Sequence, residues 1–79
     1  MEDLKLVRKA EVMIAGLEFG IKLFISANGK GVAVTRYDHE DIILTDGRNV
    51  EDAYKRHNAI LPLAISVRNE RYTTYAHEI

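Results

Sequence analysis

Leu17-Glu18-Phe19-Gly20-Ile21-Lys22-Leu23-Phe24-Ile25-Ser26-Ala27-Asn28-Gly29-Lys30-Gly31 is the stretch that decides the fold. Leu17, Phe19, Ile21, Leu23 and Ile25 occupy alternate positions, and a period of two places them on one face of a β-strand. Phe24 departs from that alternation, which predicts that it covers an edge or marks a contact. Asn28-Gly29 lies at the centre of a turn. Both residues tolerate the positive φ that a tight hairpin requires. Val32, Val34 and Thr35 then form the returning strand.

On the C-terminal side, Asp38-His39-Glu40-Asp41 is a polar break and Ile42–Thr45 reads as a short third strand. Asp46-Gly47 is a second turn signal. Asn49 is a good helix N-cap, with Glu51 and Asp52 in the first turn, where the helix dipole favours acids. Val50, Ala53, Tyr54 and His57 share one helical face, Lys55 and Arg56 follow, and Asn58 closes the pattern. Leu61, Leu63, Ile65 and Val67 alternate again. Pro62 cannot donate to a ladder, so this segment reads as an edge strand or one that starts there. Asn69-Glu70 then turns the chain into a last strand, Arg71–His77.

Towards the N-terminus, Leu4, Val7, Glu11 and Ile14 give a rough helical stripe, whereas Val12–Ala15 fits a strand that turns at Gly16. The reading favours strand for residues 11–15. The expected class is α+β: a small, mostly antiparallel sheet of about four to six strands with one α-helix, about residues 50–58, packed on a face.

Seventy-nine residues form a single domain. By surface scaling, a chain of about 9 kDa exposes about 4,900 Å² when folded and buries roughly 60% of its extended surface, enough for one modest core. Apolar residues make up 47% and charged residues 29%, the balance of an ordinary globular domain. No cysteine is present, which excludes disulfides, thiol chemistry and cysteine zinc sites. The acidic start, Met1-Glu2-Asp3, lacks the pattern of a secretory signal, and no apolar run reaches the roughly 20 residues of a membrane span. A cytoplasmic protein without membrane contact is expected.

The chemistry-bearing side chains point away from an enzyme. His39, His57 and His77 are separated by 18 and 20 residues, with none of the local pairing of a zinc site. The Asp38–Asp41 cluster lacks the acid spacing and glycine of a calcium loop. Ser26 and Ser66 sit in strand patterns with no nucleophile elbow. Asn28-Gly29-Lys30-Gly31 lacks the full phosphate-loop spacing and opens no helix. No cofactor, metal or catalytic residue is expected.

The charge is uneven. The net charge is −1, yet residues 31–53 set Arg36 and Arg48 against Asp38, Glu40, Asp41, Asp46, Glu51 and Asp52, which gives −4. Gathered on one face, these six carboxylates would steer a basic partner. The expected function is therefore that of a small non-enzymatic regulator or inhibitor. Its acidic surface would dock on a basic, nucleic-acid-binding groove of another protein or protein–nucleic acid complex, as small mobile-element-encoded inhibitors do. Arg36 and Tyr37 would anchor the contact, since arginines and aromatics dominate interface energies. The alternative is a nucleic-acid-binding accessory protein using Arg68, Arg71 and Tyr75 on a sheet face. The near-neutral total charge weighs against direct nucleic-acid binding. Self-association through Phe24 or an edge strand, giving a homodimer, is compatible with either.

Overall fold

The computed structural model describes residues 3–77, with side chains to Arg71. Four strands, β1 (Leu4–Ile14), β2 (Leu17–Ser26), β3 (Gly31–Asp38) and β4 (Asp41–Gly47), precede one helix, α1 (Val50–His77). The sheet is an antiparallel meander in the order β1-β2-β3-β4. The chain is thus α+β, with the helix packed on one sheet face, as the pattern predicts.

The β2–β3 hairpin forms where expected. Gly29 N–H donates to Ser26 O at 3.0 Å, Ser26 N–H donates to Lys30 O at 2.9 Å, and Gly29 has φ +88°. Ser26 Oγ accepts from Lys30 N–H at 3.1 Å and donates to Asn28 Oδ1. The β1–β2 turn is tighter. Ala15 and Gly16, both at positive φ, are all that separates the strands. β1 is longer than residues 11–15 because β2 offers it a partner from Leu4 to Ile14, with one bulge between Leu6 and Arg8.

The core lies between the helix and one sheet face. Phe19, Ile21 and Leu23 of β2, Ala33 of β3 and Ile43 of β4 pack against Ala53, Leu61 and Ile65 of α1. Asn49 is the N-cap: its Oδ1 accepts from Asp52 N–H at 2.8 Å. Gly47, read as a turn signal, instead ends β4 directly opposite Gly31. A Cβ on Gly31 would lie 2.3 Å from Asn49 O, and one on Gly47 would lie 2.4 Å from Ala53 N. The helix start therefore rests on bare backbone at that pair.

The second hairpin expected over 61–77 is absent; these residues continue α1. The reason lies in spacing. Ala53, His57, Leu61 and Ile65 are four apart, and all are buried. The apparent alternation came from Leu63 and Val67, which face outwards on the helix. Pro62 sits inside the helix on its exposed side, so it costs an intrahelical hydrogen bond without colliding with the sheet.

Candidate partner-binding surfaces

The six carboxylates do not form one patch. Asp41 and Asp46 begin and nearly end β4, about 17 Å apart at the strand rise. The first group, Asp38, Glu40 and Asp41, lies at the β3–β4 turn. The second, Asp46, Glu51 and Asp52, lies at the other end, beside the start of α1.

Within each group some acids are already occupied. Arg68 donates from Nε and Nη2 to the two Asp41 oxygens at 2.8 and 3.1 Å, and from Nη1 to Ala64 O at 3.1 Å. This bidentate bond holds the Asp41 carboxyl below the usual aspartate range. Asp52 accepts from Arg48 N–H at 2.9 Å and pairs with the Arg48 and Arg56 guanidinium groups at 3.5 and 3.3 Å. The backbone hydrogen bond is the main reason that its carboxyl is also held low. Glu51 pairs with Arg8 at 3.2 Å, and the Arg8 guanidinium lies 4.8 Å from the centre of the Tyr54 ring.

Asp38 and Glu40 stay exposed at the turn. Asp38 Oδ1 accepts from His39 N–H at 2.7 Å, and its carboxylate lies 3.6 Å from His39 Nδ1. Arg36 extends beside them, 3.5 Å from His39 O. Tyr37, expected as an anchor of the contact, is half-buried. Its ring stacks on Phe19 at 6.2 Å and its hydroxyl donates to Asn69 Oδ1 at 2.5 Å, which ties the turn to the helix. Arg71 is exposed on α1, and the Tyr75 side chain lies outside the described residues.

His57 is fully buried. Thr35 Oγ1 lies 2.7 Å from its Nε2 and Thr45 Oγ1 lies 2.9 Å from its Nδ1. Burial depresses its pKa and keeps the ring neutral. This is a structural histidine that joins two strands to the helix. Among the described residues, no three His, Cys, Asp or Glu side chains converge as a metal site would require. No helix among them is long and apolar enough to cross a membrane.

One broad surface was missed by sequence reasoning: the sheet face opposite the helix. Leu4, Phe24, Val32, Val34, Ile42 and Leu44 share a broad hollow there. Leu4, Ile42 and Leu44 are 47%, 54% and 62% exposed. Phe24 belongs to this face, which explains its break in the β2 alternation. A second signal was present in the sequence. Ile42-Ile43-Leu44 and Val32-Ala33-Val34 are continuous apolar runs, as in strands covered on both faces. Among the described residues, only one face has its cover.

The charges on the open face are paired by sign. Lys9 and Lys22 stand directly opposite each other on β1 and β2. One step along, Glu11 and Glu18 lie diagonally across the same ladder, Glu11 opposite Gly20 and Glu18 opposite Met13. The neighbouring Glu11 carboxyl raises the Glu18 carboxyl above the usual range. Gly20, facing Glu11 across the ladder, leaves the floor open between them.

Comparisons with protein-family models, with curated proteins and with solved structures yield no match.

Proposed function

We propose that this chain is a small, non-enzymatic protein-binding regulator or inhibitor whose contact is the β3–β4 end of the sheet. Asp38 and Glu40 are the carboxylates that meet a basic groove of the kind that binds nucleic acid. The observation that carries this reading is the fixed presentation of that turn. The Phe19–Tyr37 stack, the Tyr37–Asn69 bond and the Arg68–Asp41 bidentate pair fasten the turn to both layers. Asp38 and Glu40 project from it into solvent. A contact held in place loses little side-chain and loop freedom on binding. Asp46, Glu51 and Asp52, at the far end, are a separate surface and drop out of this contact.

Direct nucleic-acid binding by Arg68, Arg71 and Tyr75 requires a sheet face formed by a last hairpin over 61–77. Those residues are helical, and Arg68 is engaged by Asp41 and Ala64 O.

The test is capture of partners by the tagged chain from nuclease-treated lysate, beside an Asp38→Asn/Glu40→Gln variant. Asp41 is left alone because it holds the helix. The expected result is a nucleic-acid-handling protein that the variant fails to retain and that added DNA or RNA displaces. Equal retention by the variant, or no displacement, would overturn the reading.

A further inference from the structure

The uncovered sheet face is a surface complementary to itself. We propose that a second copy of this chain covers it, packed face to face about a twofold axis that runs across the strands. The axis passes between the Lys9/Lys22 pair and the Glu11/Glu18 pair. This surface adjoins the β3–β4 turn at Arg36 and Ile42 but does not include Asp38 or Glu40, and the proposal does not depend on the function proposed above.

Three observations lead here. The first is area. The chain exposes 5878 Å². A compact monomer of its mass exposes about 4,900 Å². The excess is about 1,000 Å², against about 800 Å² that each partner buries in a stable interface. The molecule is elongated, at 48 × 25 × 16 Å.

The second is apolar pattern. β3 and β4 are written as strands buried on both faces, yet Val32, Val34, Ile42 and Leu44 have no layer above them. A second sheet packed at about 10 Å supplies it, as in a β-sandwich. The proposed axis brings Ile42 and Leu44 close to the same two residues of the other copy.

The third is charge. Like charges directly opposite on neighbouring strands are destabilising, as Lys9 and Lys22 are, and this face sets that pair beside the diagonally placed Glu11 and Glu18, with Arg36 further across towards β4. In an isologous contact each patch meets its counterpart on the other copy. The twofold sets the lysines of one copy over the glutamates of the other, twice. A heterologous partner would need only one complementary arrangement. Adjacent patches of opposite sign suit a surface that must match itself.

The experiment is sedimentation equilibrium of the full chain, with three variants: Lys9→Glu/Lys22→Glu, Glu11→Lys/Glu18→Lys and Leu44→Lys. All five side chains are exposed, so the fold does not rest on them. Far-UV circular dichroism checks this. The wild type is expected as a dimer of twice 9.0 kDa. Each variant alone should weaken association at least about 100-fold, because like charges then face each other or a charge enters the apolar contact. An equimolar mixture of the two charge-reversed variants should restore the dimer, since four acids of one copy at positions 9, 11, 18 and 22 then face four lysines of the other. A wild type that stays monomeric to about 1 mM would overturn the proposal, whether or not the face then binds a lipid vesicle or another protein. So would a dimer that survives all three variants, or a mixture that fails to associate.

Discussion

Thr35 Oγ1 and His57 Nε2 lie 2.7 Å apart in the middle of the layer between sheet and helix, with no solvent contact at either residue. The other ring nitrogen is taken by Thr45. Both bonds suit a neutral imidazole, which donates through one nitrogen and accepts through the other.

A pH dependence follows. Burial lowers the folded-state pKa of His57 below its ordinary value of about 6.5. The unfolded chain then binds the proton more readily, so the contribution of His57 is complete above about pH 6.5 and declines as the pH falls towards the folded pKa. Urea titrations at pH 7.5, 6.5 and 5.5 should show the midpoint falling on the acid side. His57→Leu should remove that slope. It should also lower stability by about 1–3 kcal/mol for each hydroxyl left without a partner. An acid slope unchanged in His57→Leu would place its origin elsewhere.

Gly47→Ala tests the contact between the helix start and the sheet. The added methyl meets Ala53 N at 2.4 Å, and backbone cannot rotate aside as a side chain can. A loss of about 2 kcal/mol or more is expected, as for overpacking a tight core. By contrast, Gly20→Ala has nothing within 4 Å of its new Cβ and should unfold at nearly the wild-type midpoint. The difference between the two thermal melts is the measurement.

Pro62→Ala should stabilise the chain. Proline inside a helix costs up to about 3 kcal/mol relative to alanine. Residue 62 is on the exposed side of α1, so little packing is lost in exchange. A gain of about 1–2 kcal/mol in denaturant unfolding is expected. A loss would mean that the helix bends usefully at this point.

Ala15 has φ +53°, a region that L-residues with a Cβ enter at a cost of roughly 1–2 kcal/mol. Asn-Gly is the favoured pair for a two-residue hairpin with both residues at positive φ. Ala15→Asn should therefore raise the melting temperature, by about 4–8 °C per kcal/mol regained in a chain of this size. An unchanged or lower melting temperature would show that the strain is relieved some other way.

Much of the fold was legible because local and tertiary preferences agree. The alternation of β2, the Asn28-Gly29 turn and the Asn49 cap each state one conformation, and the structure adopts it. The segment after Asn58 was misread because two periods coincide there. Leu61 and Ile65 satisfy spacings of both two and four, and Pro62 argued for a strand. The helix wins because the sheet already offers a face for residues 53, 57, 61 and 65. The acidic patch failed differently. Residues 38–52 are contiguous in sequence, but an extended strand carries Asp41 and Asp46 to opposite ends of β4. The open face was legible in the Phe24 break and in the Val32-Ala33-Val34 and Ile42-Ile43-Leu44 runs, which have no polar side.

The meander has a kinetic meaning. Each strand pairs with its neighbour in the chain, and connections of two to four residues separate all five elements. Closing such short loops takes little entropy, and structures built from sequence-local contacts fold quickly. Every strand precedes the helix. During synthesis the sheet can therefore be complete while α1 is still emerging. At that moment both of its faces are bare, and the route to the native state becomes a race between the arrival of the chain's own helix and collision with another nascent sheet.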